Sequence, residues 1–178
     1  MIRLRQLAPL ALAAASLVLA ACAVLSNGAY RNKDMTMIPQ TTYLHLLKNT
    51  PFFTTLTRPQ LKWVINHSRE WEVRAGTVVA SCATGEPASG DLWILLDGGW
   101  RVDADGKQHA AGNADAGKWF SATVTAHACQ LVTTEKSYVM KIARADLDGM
   151  LAKGFAFGLH LETGKTYYQT LFRADCDC

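Results

Sequence analysis

Between Glu70 and Ala143 the chain runs in short hydrophobic segments separated by turn residues at regular spacing, and this constrains its fold more than any other feature. Trp71 and Val73 alternate with Glu70, Glu72 and Arg74, the period of two expected of a half-buried strand. Ala75-Gly76 turns the chain into Thr77–Ser81, which is β-branched and apolar, and Ala83 to Gly90 is a loop rich in Gly, Pro and Ser. Leu92-Trp93-Ile94-Leu95-Leu96 is a continuous apolar run of strand length, closed by Asp97-Gly98-Gly99. Trp100-Arg101-Val102 and Gln108-His109-Ala110 flank Asp105-Gly106, a hairpin signal because Gly tolerates the positive φ such turns demand. Ala128–Thr134 and Ser137–Ile142 form a last pair around Glu135-Lys136. Roughly eight short strands spaced in this way predict a mainly β chain, a sandwich or jelly roll.

Helical signals flank this region. Thr57-Arg58-Pro59-Gln60 reads as a capping box: Thr57 caps, Pro59 lies where a missing N–H costs nothing, and Gln60 reaches back. Leu61, Val64 and Ile65 then recur at helical spacing to about His67. Pro39 to Asn49 suits a short helix with Tyr43, Leu44 and Leu47 on one face. Arg144 to Lys153 reads as a helix with Leu147, Met150 and Leu151 inward and Gly154 ending it. Phe155 to Arg173 reads as a further helix, weakened by Gly158 and Gly164.

The N-terminus is of another kind. Met1–Gln6 carries Arg3 and Arg5 and no acid, and Leu7 to Ala21 follows without a charge. A charged start, a short apolar core and small residues before a cut describe a secretory signal. As a helix the apolar core reaches ~22 Å, short of the ~30 Å hydrocarbon layer. The closing Leu19-Ala20-Ala21-Cys22 resembles the lipobox of bacterial lipoproteins, whose cysteine takes a diacylglycerol and becomes the mature N-terminus. An ordinary cut after Ala23 and an unprocessed anchor are the alternatives. The expected organisation is a signal peptide over 1–21, a lipidated polar tether over 22–39 and a folded body over 40–178. Membrane attachment then rests on Cys22 alone, and Ala23 in place of the inner-membrane retention Asp favours the outer membrane, periplasmic face, in a host with two membranes. Losing Arg3 and Arg5 lowers the net charge of +3 by two. That near-neutral balance argues against a nucleic-acid partner, which needs a basic face.

Cys82, Cys129, Cys176 and Cys178 remain. An even number in an oxidising compartment suggests disulfides, with three possible full pairings. Pairing Cys176 with Cys178 would close a very tight ring, so one of them suits a staple from tail to body. A Cys-Asp-Cys end also suits a soft metal such as Cu(I), but no His or Met box stands near it. His45, His67, His109, His127 and His160 stand far apart and lack the spacing of cupin metal ligands. No nucleophile elbow, phosphate-cradling loop or His-Glu-x-x-His is present. Asp103 with Asp105, and Asp146 with Asp148, read as turn and helix-start residues. No catalytic residue, resident metal or cofactor is expected.

The order of helix, roll and helices, together with local wording, resembles cyclic nucleotide-binding domains over about residues 50–160. Pro51-Phe52-Phe53-Thr54-Thr55-Leu56-Thr57 is similar to that family's opening before its first helix. Ala75-Gly76-Thr77-Val78-Val79 resembles its second strand, and Leu92–Gly98 its central strand and turn. Gly117-Lys118-Trp119-Phe120 is similar to the G-x-x-F that enters the phosphate-binding cassette. The resemblance implies an eight-stranded β-roll of the cyclic nucleotide-binding-like type with flanking helices.

It breaks at the ligand site. Nucleotide-binding members follow the Phe with Gly-Glu, a short helix and an Arg, which grip the ribose and the cyclic phosphate. Here Ser121 stands for the Gly, Ala122 for the Glu, and His127 falls nearest the Arg. Each lost charge-assisted contact forfeits ~1.5–3 kcal/mol. The expectation is a scaffold kept and a nucleotide lost. Trp93, Trp100, Trp119 and Phe120 read first as core aromatics. The functional alternative is an apolar pocket or docking face around Trp119, Phe120, Ser121 and His127. The family's roll brings the regions of Cys82 and Cys129 to one side, so the resemblance implies a Cys82–Cys129 bridge holding the shortened cassette. The expected role is a non-enzymatic interaction or structural module that contacts another envelope protein. The alternative is a sensor or carrier whose pocket is rebuilt for another small molecule.

Overall fold

Two antiparallel sheets carry the period-two segments, in a computed structural model that describes residues 37–83 and 88–173. The signal segment, Cys22, most of the tether and the Cys176-Asp177-Cys178 tail lie outside the described residues. Nine strands are present among those described: β1 (Ile38–Gln40), β2 (Ser68–Val73), β3 (Val78–Cys82), β4 (Leu92–Asp97), β5 (Gly99–Ala104), β6 (Lys107–Gly112), β7 (Trp119–Phe120), β8 (Cys129–Thr133) and β9 (Ser137–Ile142). One sheet runs β1-β2-β9-β4-β7 and the other β3-β8-β5-β6. The helices are α1 (Leu44–Asn49), α2 (Arg58–Asn66), α3 (Arg144–Ala152) and α4 (Gly158–Arg173). None is long and apolar enough to cross a membrane among the described residues.

The sheets share an interior of Val73, Leu95, Trp100, Val102, Phe120, Leu131 and Val139. The first sheet's other face carries Leu92, Ile94, Met140 and Ile142 against Leu61 and Val64 of α2, Phe52 and Phe53, and Leu147 and Met150 of α3. That is why Leu92–Leu96 is apolar without alternation: both faces of β4 are covered. Burying each of these large side chains stabilises the fold by about 1.5–3 kcal/mol.

Turn and cap chemistry follows the sequence closely. Asp105 and Gly106 take φ of 48° and 76°, both positive, as the two-residue hairpin joining β5 to β6 requires. Gln60 Oε1 accepts from the Thr57 backbone N–H and hydroxyl, each at 2.9 Å, closing the capping box. Gly154, at φ 74°, ends α3. Its N–H reaches Leu151 O at 3.0 Å while the Phe155 N–H reaches Met150 O at 3.1 Å, a Schellman closure sealed by two core side chains.

Four expectations need correction. The tether does not reach residue 39, because Ile38–Gln40 pair with Glu72–Glu70 and satisfy the open edge of β2. The first helix begins at Leu44 rather than Pro39, and Tyr43 is 59% exposed while Leu47 is buried. Leu151 is 39% exposed, so only Leu147 and Met150 anchor α3. Glu70, read as a solvent-facing residue, is 4% exposed, because the face of β2 that carries it is roofed by helices rather than by water.

Candidate functional site

The stretch matching the phosphate-binding cassette begins at β7, which pairs Trp119 with Ile94 and Phe120 with Trp93. A two-residue strand sends its side chains to opposite faces. Phe120 enters the roll interior, and Trp119 packs on the helix-covered side. Beyond it stands only one 3₁₀ turn, Ala122–Val124, where nucleotide-binding members carry a short helix. Ser121 caps that turn: its Oγ lies 3.0 Å from Thr123 Oγ1 and 3.5 Å from the Thr123 N–H that donates to it. Ala122, at the position of the ribose-gripping Glu, is buried and brings no charge. His127, nearest the phosphate-binding Arg, turns to the β5–β6 hairpin, where its Nδ1 lies 3.1 Å from Asp105 Oδ2. Its ring lies parallel over Phe172 at 6.0 Å.

Helix α4 packs beside the cassette. Tyr168, Leu171 and Phe172 of α4 join the inter-sheet core, with Tyr167 packed beside them. The Tyr168 hydroxyl donates to Trp119 O at 2.7 Å, and Gly117 O lies 3.3 Å away. Its ring meets Trp119 and Phe120 edge-on, each at 5.8 Å. Burial pushes the Tyr168 phenol well above its ordinary value, so the group stays a neutral donor. Trp119 in turn donates through Nε1 to His160 O at 2.8 Å. This contact needs Gly164, whose absent Cβ would stand 2.1 Å from the indole nitrogen.

The four candidate pocket residues therefore part company. Trp119 and Phe120 are 5% and 0% exposed: they are core, and Tyr168 of α4 packs on them. Ser121 is a buried cap. His127 borders an open cavity of about 450 Å³ with Ala88, Ser89, Ala122, Thr123 and Thr125. Cys82 and Cys129 stand opposite each other on β3 and β8, with Cα atoms 4.8 Å apart, and form a disulfide. The bridge stands between this cavity and a second of about 450 Å³ at the β5–β6 hairpin. No group of three metal-ligating side chains occurs among the described residues. The sequence reading missed the contribution of α4, although Tyr168, Leu171 and Phe172 stand at i, i+3 and i+4, the spacing of one apolar helix stripe.

No protein-family model and no curated protein matches the chain. Solved structures do. The cAMP-bound PfPKA-R aligns with a TM-score of 0.56 at 15% identity, over 74% of this chain and 45% of that one. A mutant regulatory subunit of a cAMP-independent protein kinase A from Trypanosoma brucei, bound to cAMP in its A site, gives 0.53 at 22%, over 74% and 50%. The sensor domain of the transcriptional regulator DNR from Pseudomonas aeruginosa gives 0.50 at 17%, over 70% and 91%. The chain thus spans about half the length of the two kinase subunits it matches. These likenesses establish the fold as the cyclic nucleotide-binding-like roll, two antiparallel sheets with flanking helices.

Proposed function

We propose that this chain is an exported, lipid-anchored envelope protein whose roll acts as a non-enzymatic interaction module and no longer receives a cyclic nucleotide. One observation carries the loss of the nucleotide: Tyr168, Leu171 and Phe172 of α4 fill the space between the sheets, beside a cassette reduced to Ala122–Val124. The charges a cyclic phosphate and ribose require are replaced by Ala122 and by a His127 engaged with Asp105. The anchor reading rests on Leu19–Cys22, and Ala23 supports an outer-membrane, periplasm-facing address. With no charge cluster for nucleic acid, another envelope protein is the partner of this reading.

Calorimetric titration of the detergent-purified lipidated chain with cAMP or cGMP at about 1 mM ligand should show no heat of binding. Tight uptake, with chemical-shift changes from Ser121 through His127, would overturn the loss of the nucleotide. Labelling cells with radioactive palmitate should mark the wild-type chain and not Cys22→Ser, and equal labelling of the two would remove the anchor. Crosslinking and pull-down from solubilised envelopes reads out the partner. The second reading, a sensor for another small molecule, draws on the cavity beside His127 and predicts a thermal shift with a soluble metabolite.

A further inference from the structure

Folding leaves two polar atoms without partners where β2 begins. Glu70 Oε2 and Ser68 Oγ are buried, and neither has a hydrogen-bond partner among the described residues. The two residues are two apart on one strand, so both point to the face roofed by helices. Both line a crevice of about 380 Å³ that also takes in Gln40, Thr42, Ile65 and Trp71. Thr42 donates a side-chain hydrogen bond to the Glu70 carboxyl. Glu70 forms no ion pair among the described residues. Arg69 and Trp71, which also border the crevice, alternate with Ser68 and Glu70 along the strand and send their side chains to its opposite face. Buried polar groups are nearly always satisfied, so two orphans converging on one crevice mark a place where a donor is missing.

The donor must be cationic to suit a carboxylate, small enough for the crevice, and rich in N–H. An anion would meet Glu70 with like charge. A hard divalent cation draws on six to eight oxygens and favours several carboxylates, and this crevice offers a single carboxylate beside the hydroxyls of Thr41, Thr42 and Ser68 and the Gln40 amide. An ammonium presents three N–H groups, which matches the carboxylate, the Ser68 hydroxyl and the Thr42 hydroxyl in number. Ile65 supplies an apolar contact for a stem.

We propose that this crevice binds a primary ammonium group on a short alkyl stem, held by Glu70, Ser68 and Thr42 with Ile65 beside the stem. The site lies apart from the altered cassette and stands whether or not the anchor assignment does. Ethylammonium chloride added to the full chain at constant ionic strength should shift the NMR amide resonances of Thr42, Ser68 and Glu70 saturably. Sodium chloride and tetramethylammonium chloride should not, because neither donates N–H. Glu70→Gln should weaken binding at least tenfold, and Ser68→Ala, which keeps the carboxylate, at least threefold. If Glu70→Gln does not fold by circular dichroism, Ser68→Ala and Thr42→Val carry the test. The chain placed in nanodiscs of phosphatidylethanolamine or of phosphatidylcholine distinguishes a lipid headgroup from a free amine as the source. Saturable shifts with either source support the site. Shifts with neither, equal shifts with tetramethylammonium, or undiminished binding in every variant would overturn it.

Discussion

A few single side chains brace turns of this fold through hydrogen bonds to backbone groups. Ser137 is fully buried, and its hydroxyl accepts from the Gly99 N–H at 3.2 Å and lies 2.9 Å from Gly99 O. The turn it braces also requires Gly98, at φ 88°, where a Cβ would stand 2.6 Å from Ser137 Oγ. Ser137→Ala leaves the Gly99 N–H without its hydroxyl acceptor, while Gly99 O keeps the Thr134 N–H, and should cost about 1–3 kcal/mol in chemical denaturation. An unchanged midpoint would show that water replaces the hydroxyl. Glu70 acts in the opposite sense. Burial holds its carboxyl above the ordinary 4.5, although the Thr42 hydrogen bond pulls it down. A proton bound more tightly in the folded state stabilises it below the unfolded value, and that contribution is lost as pH rises through the folded one. The stability of Glu70→Gln relative to wild type should therefore increase as pH rises from about 4 towards 8, provided no amine is present. Urea midpoints for both chains across that range test this, and a gap that does not change with pH would refute it.

At the scale of elements, α4 shows how local and tertiary preferences divide. By propensity Gly158 and Gly164 argue against a helix over Phe155–Arg173, and Gly158 indeed marks its first residue. Gly164 lies inside the helix and is there for packing, since it lets the Trp119 indole approach and bond His160 O. No pattern within α4 alone could reveal this, because the constraint comes from a residue on a distant strand. The same division appears in β2, where alternation located the strand but not the roof over Glu70. By contrast the Gln60 cap and the Gly154 stop were legible, as each is made by neighbours within a few residues. Gly164→Ala supplies the decisive comparison. Ala gains about 1 kcal/mol of intrinsic helix preference over Gly. Its Cβ, however, would stand 2.1 Å from Trp119 Nε1 and 2.9 Å from Ala116 O, so α4 must move. Overpacking of this kind costs about 1–3 kcal/mol, and the net change should be destabilising. Gain of stability would mean that α4 slides without loss, and would weaken the case that it permanently fills the roll.

For the whole molecule, the sheet pattern was legible because each strand's period, turn and length are written locally, as in the Asp105-Gly106 hairpin. The strand order, the position of α4 and the joining of β1 to β2 depend on pairings between distant segments, and those were open until the roll was assembled. The candidate site divides in the same way: the missing Glu and the shortened cassette could be read residue by residue, whereas the burial of Trp119 and Phe120 beneath Tyr168 could not. One long-range link, Cys82 to Cys129, spans a sequence separation of 47 and fastens β3 to β8 beside the cassette. Closing a loop of that length removes unfolded-state freedom worth about 2–4 kcal/mol. The link also ties stability to compartment, because cytosolic thiol pools keep such pairs reduced while exporting compartments do not. If residues 1–21 export the chain as proposed, chain made with them should yield a Cys82–Cys129 peptide on non-reducing mass mapping. Chain retained in the cytosol should alkylate at both thiols and unfold at lower denaturant by a comparable margin. The double variant Cys82→Ala with Cys129→Ala should match the cytosolic material in stability and be indifferent to reductant. If exported chain carries both thiols free, the strand pair holds without its link, and neither its stability nor the form of the cassette draws on the oxidising address.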